Sequence, residues 1–436
     1  MAHVLIATTP ADGHVNPVVP VARNLVRAGH DVRWYTGDGY RSKITAVGAR
    51  HLPMFAAHDF SGQSKAEAFP AQARLTGAAS FVAGMRDIFY RTAPDQMDDL
   101  LRVLDRFPAD VLVSDDMCYG ASFAAEHTGL PHVWIGNSIY VLGSRDTAPL
   151  GRGLGPSATR AGRLRNAVLA WAGDHIMLRG LRRAADAARA QAGLARLRAG
   201  GMENIARRPD RYLVGTVAEL EFPRSDLFAG THFVGALDLP PSDTAFDPPP
   251  WWEELRGERP VVLVTQGTIA DDARRLLLPA IRALADEPVL VVVTTGNRTL
   301  GPSAGTLPAN VRVEGFVPYH RLLPYVDVMV TNGGFNGVTA ALRHGVPLVV
   351  AGATEEKADV AARVAYAGAG VALRGARLAP ERVRAAVRAV LDGPEHRAAA
   401  ARLHDAFARH DGPRRAAELI EELIPARTAP ATGGPL

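Results

Sequence analysis

One cysteine, Cys118, stands in a chain of 436 residues. That excludes an internal disulfide framework and any cysteine-built zinc cluster. Lysine is nearly as scarce: of 49 Lys and Arg residues only Lys43, Lys65 and Lys357 are lysines. The skew is what a GC-rich coding sequence produces, and the net charge is a modest +4. Nucleic-acid binding would need basic residues interleaved with aromatics along one face, and no such stripe occurs. No apolar run approaches the length of a bilayer span, and the first residues enter a strand pattern without the regions of a secretion signal. A cytoplasmic protein with no integral membrane association is expected. Neither half carries G-x-G-x-x-G, which disfavours a dinucleotide-dependent dehydrogenase. Asp115-Asp116 and Asp271-Asp272 lack the Asp-x-Asp spacing of a metal motif, so no metal site is expected.

What is present is ordinary globular material, 47% hydrophobic and 22% charged, and long enough for two cores. Residues 3–8 form an apolar strand, followed by Pro10-Ala11-Asp12-Gly13-His14-Val15-Asn16-Pro17. Asn16 reads as a helix cap with Pro17 in the first helical position, and residues 31–36 as the next strand. Residues 56–80 are rich in Ala, Ser, Gly and Gln and read as a surface loop. A helical pattern runs from 81 to 107, then a strand at 110–114 ends in Asp115-Asp116. A helix to 128 and a strand at 132–135 follow. Residues 158–199 are basic, Ala-rich and helical, and read as a solvated face over a cleft, with a membrane-surface helix as the alternative. The Pro-rich run at 238–250 breaks every periodicity. A second series begins at 260, with strands at 261–266, 289–295 and 311–314 and a helix at 271–285. Strands alternating with helices twice over predict an α/β chain of two Rossmann-like, doubly wound domains facing a cleft. The expected division is 1–237, a linker at 238–258, and a second domain at 259–410. A helix at 411–424 would pack back on the first domain, and 425–436 would be a disordered tail.

The stretch on which the rest converges is 325–357. An apolar strand at 326–330 enters Thr331-Asn332-Gly333-Gly334, then a helical pattern that stops at Gly345, then a second strand at 346–351. Strand, Gly-rich turn and helix present unsatisfied N–H groups and a positive helix end to an anion. Asn332 reads as the cap of that helix. Gly333, Gly334 and Gly337 leave the backbone open to a phosphate, although the same glycines also suit a plain tight turn. In the first half, His14 and Asp115 both arrive at strand ends, where ligands of such sheets bind. A carboxylate behind an imidazole holds one tautomer and lets the ring accept a hydroxyl proton. Each residue alone also fits a helix start or a cap. Phe316 reads equally as a core aromatic or a stacking ring.

Gly315-Phe316-Val317-Pro318, Asn332-Gly333-Gly334-x-Asn336, Gly345-Val346-Pro347 and an acid at 356 together resemble the donor signature of the inverting nucleotide-sugar glycosyltransferases. The natural-product and macrolide branch of actinobacteria is the nearer likeness. Gly13-His14-x-Asn16-Pro17 resembles the family's amino-terminal motif, and 111–116 (VLVSDD) brings Asp115 to its acid, with Asp116 one residue away. The resemblance implies a GT-B fold, His14 as base and Asp115 as the acid that orients it. It implies a donor site of Gly267, Thr268, Phe316, Val317, Asn332, Gly333, Gly334, Asn336, Gly337, Glu356 and Lys357.

No cofactor is implied beyond the nucleotide-sugar as co-substrate. The implied reaction is metal-independent transfer with inversion, from UDP-glucose first or from a TDP-deoxysugar. The acceptor would be a hydrophobic aglycone such as a phenolic, flavonoid, macrolide or ansamycin, with loops 56–80 and 140–160 shaping its pocket. A nucleotide-sugar epimerase is the alternative enzyme, and a silent nucleotide-binding partner the alternative outside catalysis. The chain departs from the family pattern at Phe316 where a Trp is usual, at Asn332 where a His is usual, at Ala340 where a Glu holds the ribose, and at Glu356-Lys357 where Asp-Gln grips the sugar.

Overall fold

The computed structural model describes residues 1–72, 74–75, 77–136, 138–238, 246–267, 272–352, 356–375 and 377–424. Thr268, most of the Pro-rich run and the tail at 425–436 lie outside the described residues.

Seven strands make the first sheet: β1 (His3–Ala7), β2 (Asp31–Tyr35), β3 (Arg50–Leu52), β4 (Val111–Asp115), β5 (His132–Gly136), β6 (Arg211–Val214) and β7 (Thr231–Phe233). Six make the second: β8 (Val261–Thr265), β9 (Leu290–Thr294), β10 (Val311–Glu314), β11 (Val328–Thr331), β12 (Leu348–Val350) and β13 (Gly370–Ala372). The spatial orders are β3-β2-β1-β4-β5-β6-β7 and β10-β9-β8-β11-β12-β13, every pairing parallel. The chain is an α/β protein of two doubly wound sheets.

The continuous apolar runs have a direct cause. Parallel strands joined by helical crossovers are covered on both faces, so neither face can be polar. Along β1, Val4 and Ile6 enter one apolar layer while Leu5 and Ala7 enter the opposite one. Along β8, Val262 and Val264 face one layer, and Val261 and Leu263 the other. Polar chemistry is thereby driven to the strand ends. Each sheet reverses its strand order once, between β1 and β4 and between β8 and β11, and there the turns splay apart to leave a crevice.

Several local expectations fail for identifiable reasons. Asn16 does not start a helix: a short helix at Asp12–Val15 ends there, and the next, Val19–Arg27, opens with Pro20 in its first turn. The side chain of Asn16 accepts instead from Lys43 Nζ at 2.6 Å. The helical run from 81 to 107 divides into a helix to Gly84, a π-helical turn at Met85–Tyr90 and a helix at Ala93–Arg106 with Pro94 in its first turn. The 158–199 stretch divides likewise around a π-helical turn at Gly173–Met177.

The loop after β3 is held by a buried carboxylate from the Ala93–Arg106 helix. Asp99 accepts from the Tyr35 hydroxyl at 2.9 Å and from the amides of Phe55, Ala56 and Ala57 at 2.9, 2.8 and 3.2 Å. The Gly412–Glu421 helix lies against the first sheet, where Ala416, Leu419 and Ile420 share a core layer with Val4 and Ile6. His30 Nε2 meets Glu421 Oε1 at 2.9 Å, and Arg211 donates to the Leu419 carbonyl at 2.7 Å.

A buried ionic cluster joins the two halves. Glu221 accepts from Arg363 Nε at 2.8 Å, Arg224 Nη1 at 3.1 Å and the Tyr140 amide at 3.0 Å. Burial alone would raise its carboxyl pKa; the two guanidiniums reverse that and hold it below the usual range. The guanidiniums also lie over rings, Arg224 4.4 Å from Tyr140 and Arg363 4.4 Å from Phe222. Nearby, Asp359 accepts from the amides of Gly151 and, at 2.9 Å, Gly153, so the 140–160 loop of the first half rests on the Lys357–Tyr366 helix of the second. Removing one member of a buried ion pair strands the others, at a cost of about 3–5 kcal/mol. Glu221→Ala should therefore move the urea unfolding midpoint clearly downward, and a parental midpoint would refute this account.

Candidate functional site

His14 sits in the short helix that follows β1, and Asp115 closes β4, its neighbour in the sheet. The Asp115 carboxylate is buried and fully engaged. Oδ2 accepts the Thr9 amide at 2.7 Å, and Oδ1 accepts the Met117 amide at 3.0 Å and meets His14 Nδ1 at 2.8 Å. It therefore serves the turn after β1 and the imidazole together, and does not cap the Tyr119–Thr128 helix. With Nδ1–H directed at a carboxylate, the neutral ring keeps its lone pair on Nε2. Burial alone would lower the pKa of His14. The charge and hydrogen bond of Asp115, with the charge of Asp116, outweigh it, and the net shift is upward. The ring of Phe89, from the π-helical turn, lies 5.7 Å from the imidazole.

Asp116, adjacent in sequence, faces elsewhere. It is buried against β6, and its Oδ2 accepts the Tyr212 hydroxyl at 2.7 Å. Burial, aided by the neighbouring Asp115, pushes its carboxyl up to about 7. Geometry thus separates two adjacent acids: Asp115 holds the imidazole, and Asp116 is a neutral-leaning group behind it.

The second crevice has the same plan. Gly267 follows β8 with φ +71°, and Asn332 follows β11. Asn332 Nδ2 donates to the Gln266 carbonyl at 2.6 Å, and its Oδ1 accepts the Gly334 amide at 3.3 Å. It braces the two turns and is not the cap of the next helix. That helix, Phe335–Arg343, begins after Gly334, and among the described residues no side chain caps it. Its first-turn amides and the positive end of its dipole consequently point out of the turn.

The glycines serve different ends. Gly333 is buried at φ +85°, and a Cβ there would come within 3.0 Å of Val350 Cγ1 and 3.1 Å of the Lys357 carbonyl. Its glycine is a packing and conformational requirement. Gly334 is the open one: among the described residues only the Asn332 side chain, at 3.7 Å, lies within 4 Å of its Cβ position. Gly337 packs near Tyr319 and Met329. Gly345 takes φ +68° just past the helix end, the left-handed stop that its sequence position predicts.

Phe316 is 63% exposed beyond β10, while the adjacent Val317 is buried. The ring is therefore not a core aromatic, and its face is accessible for stacking. Glu356 and Lys357 begin the Lys357–Tyr366 helix, half-buried beside the Gly333 turn. Ala340 is partly buried against the apolar layer and offers no polar group. Asn336 is exposed on the first turn of the Phe335 helix.

One element of the crevice had no motif to announce it. A cavity of about 340 Å³ lies between the halves, lined by Asn16, Pro17 and Lys43 on one side and Phe335, Asn336 and Thr339 on the other. The rarity of lysine was the only sequence signal at Lys43. Among the described residues no group of three or more His, Cys, Asp or Glu side chains is gathered to hold a metal. Among them also, no helix is long and apolar enough to cross a membrane.

Comparisons with known proteins bear on the family and the fold. Residues 275–423 match the family described as erythromycin biosynthesis protein CIII-like, C-terminal domain. The chain is 58% identical over 424 residues to 4'-demethylrebeccamycin synthase of Lentzea aerocolonigenes, spanning 97% of this chain and 100% of that one. It is 30% identical over 444 residues to UDP-glycosyltransferase 2 of Phaeomoniella chlamydospora, covering 97% and 96%. Among solved structures, the glycosyltransferase of kitacinnamycin superposes with a TM-score of 0.74 at 24% identity, over 97% of this chain and 99% of that one. The paired sheets are those of the GT-B fold. The chain belongs to the EryCIII-like, macrolide-type family and is a glycosyltransferase of natural-product glycosylation.

Proposed function

We propose that the protein transfers glucose from UDP-glucose, with inversion and without a metal, to a hydroxyl of a hydrophobic small-molecule acceptor. Phenolics, flavonoids, macrolides and ansamycins are the acceptor class in view. The observation that carries this reading is the pairing of the two crevices: an imidazole held by Asp115 at one, and helix amides beside Gly334 that no described side chain caps at the other. His14 Nε2 takes the acceptor proton as the acceptor oxygen forms its bond to the anomeric carbon. The bond from that carbon to the phosphate oxygen breaks on the opposite face, so the configuration inverts. The electron pair leaves with the diphosphate, and the first-turn amides at 335–337 take up the charge, preorganised for it.

In the same reading Phe316 stacks on the base, with the Val317 backbone beside its edge. Gly267 and Thr268 meet the diphosphate with Gly333, Gly334, Asn336 and Gly337. Asn332 holds the two turns in register. Glu356 and Lys357 contact the sugar. Support for a uridine donor comes from the fungal relative named a UDP-glycosyltransferase. A TDP-deoxysugar is the competing donor, because Glu356-Lys357 sets a carboxylate and a cation where the family reads hydroxyls. Mass spectrometry of products from UDP-glucose and TDP-sugars against phenolic and macrolide acceptors tests the proposal. A glucoside of inverted configuration is expected. Donor conversion without any acceptor would instead indicate an epimerase and overturn the reading.

If His14 is the base, His14→Ala should lower turnover by roughly 10² to 10⁴ while the circular dichroism spectrum stays parental. Parental turnover in folded protein would exclude the role.

The acid–base groups also set a pH dependence of stability. Asp116, raised from 3.8 to about 7, and His14, raised above 6.5, both favour the protonated form in the folded chain. Each contributes stability at acid pH that is lost as pH rises, Asp116 between about 4 and 7 and His14 through its raised value. Asn at position 116 is permanently neutral and can still accept from Tyr212. Between about pH 5 and pH 8 the unfolding free energy of Asp116→Asn should fall less than the parent's, by a margin on the order of a few kcal/mol. Equal slopes would refute the shifted carboxyl.

A further inference from the structure

We infer that Lys43 is a donor-binding residue supplied by the acceptor half of the molecule, its ammonium contacting the diphosphate of the nucleotide-sugar across the interdomain cavity. The inference rests on the proposed reading of the Phe335 helix end as the diphosphate seat, and adds a residue that this reading did not contain.

The argument begins with charge. A nucleoside diphosphate brings two or more negative charges, and the turn at 332–334 has no cationic side chain of its own, Lys357 lying beside it at the start of the Lys357–Tyr366 helix. Asn332 is neutral, and its amide group is committed to the Gln266 carbonyl and the Gly334 amide. Helix-end amides are worth only about half a unit charge, so a full cation within reach matters. The cavity of about 340 Å³ that opens on Asn336 has Lys43 on its opposite wall.

The position of Lys43 is built. Asn16 Oδ1 accepts from Nζ at 2.6 Å, and Asp12 Oδ1 lies 3.6 Å away. The ammonium is 5.5 Å from the Tyr40 ring. Asn16 is neutral and Asp12 largely exposed, so neither cancels the charge as a buried partner would. An ammonium has three donors, and the Asn16 bond uses one.

Residue choice points the same way. Arginine stands at almost every basic position of this chain, yet Lys43 is one of three lysines, and Lys357 beside the Gly333 turn is another. A compact ammonium with three rotatable donors can keep its bond to Asn16 and still turn another donor to a phosphate in the cavity. A diphosphate seated in this cavity would then lie between a cation of the first half and the helix end of the second.

The test is equilibrium binding, measured calorimetrically without acceptor, of UDP and uridine to the parent and to Lys43→Met, with TDP and thymidine as a parallel pair. UDP or TDP affinity should fall about ten- to a hundredfold in Lys43→Met, with nucleoside affinity and thermal midpoint unchanged. Raising salt should weaken the parent's diphosphate binding more than the variant's. Equal diphosphate affinity in parent and variant overturns the inference alone. An equal loss for nucleoside and diphosphate would also overturn it, and would make Lys43 a brace for the turn that carries His14. A parent that binds neither diphosphate would sink the underlying donor-site reading instead. Lys43→Gln, which keeps a donor to Asn16 without the charge, gives the same readout should Lys43→Met fold poorly.

Discussion

The Asp115 carboxylate is the constraint on which the working geometry depends. It is buried at the end of β4, beside the point where the sheet order reverses, and a carboxylate there must find donors or lose its charge. It finds them in the Thr9 and Met117 amides and in His14 Nδ1. Satisfying one buried acid thus fixes the turn after β1, the turn after β4 and the tautomer of the imidazole at once. The second crevice reaches the same result with a neutral group. There Asn332 spends its amide on Gln266 and Gly334, and that fixes where the Phe335 helix begins. Two unlike side chains at equivalent sheet positions each tie together the turns of adjacent strands.

This arrangement follows from how the sheets bury themselves. Strands apolar on both faces leave polar groups only at their ends, and the reversals of strand order are the only places where two such ends diverge. His14 with Asp115, and Gly267 with Asn332, are those places in the two halves. The adjacency of Asp115 and Asp116 shows how far the local environment separates like groups. One acid meets a cationic or donor partner on every side, while the other, a residue later, faces a phenol in an apolar wall and is driven towards neutrality. The pair keeps charge on the side of the imidazole and away from the core.

The fold was legible because its cause is written in the composition of the strands. Apolar runs at 261–266 and 326–330, bounded by turn residues, can hardly be anything but doubly covered parallel strands. His14, Asp115, Asn332 and Gly334 stood out because each follows such a run, which is a statement about topology. Capping was read less well. Asn16 and Asn332 both have the side chain of a helix cap, yet each finds a partner outside its own segment, Lys43 Nζ and the Gln266 carbonyl. A capping preference of about 1 kcal/mol yields easily to a tertiary hydrogen bond of similar size in a better geometry. The break near Tyr90 was hidden for a related reason, since a π-helical turn keeps helical composition while shifting every later side chain. Glu221, Arg363, Asp359 and Gly151 could not be read at all, because each owes its state to a residue more than a hundred positions away.

Those distant contacts decide how the two crevices face each other. Without them the halves could sample many separations, and the proposed transfer needs the imidazole and the helix end to face one substrate together. The buried Glu221 cluster costs desolvation that an apolar contact would not, so its value lies in specificity of docking more than in net stability. A guanidinium fork stacked on a ring accepts one orientation of its partner, whereas apolar surfaces slide. Asp359 adds a second fixed point by gripping the 140–160 loop through the backbone amides of Gly151 and Gly153. With two such anchors on the Lys357–Tyr366 helix, the loop of the first half and the Glu356-Lys357 end of the second form one mechanical unit, and the width of the gap between imidazole and helix amides becomes a property of buried charge.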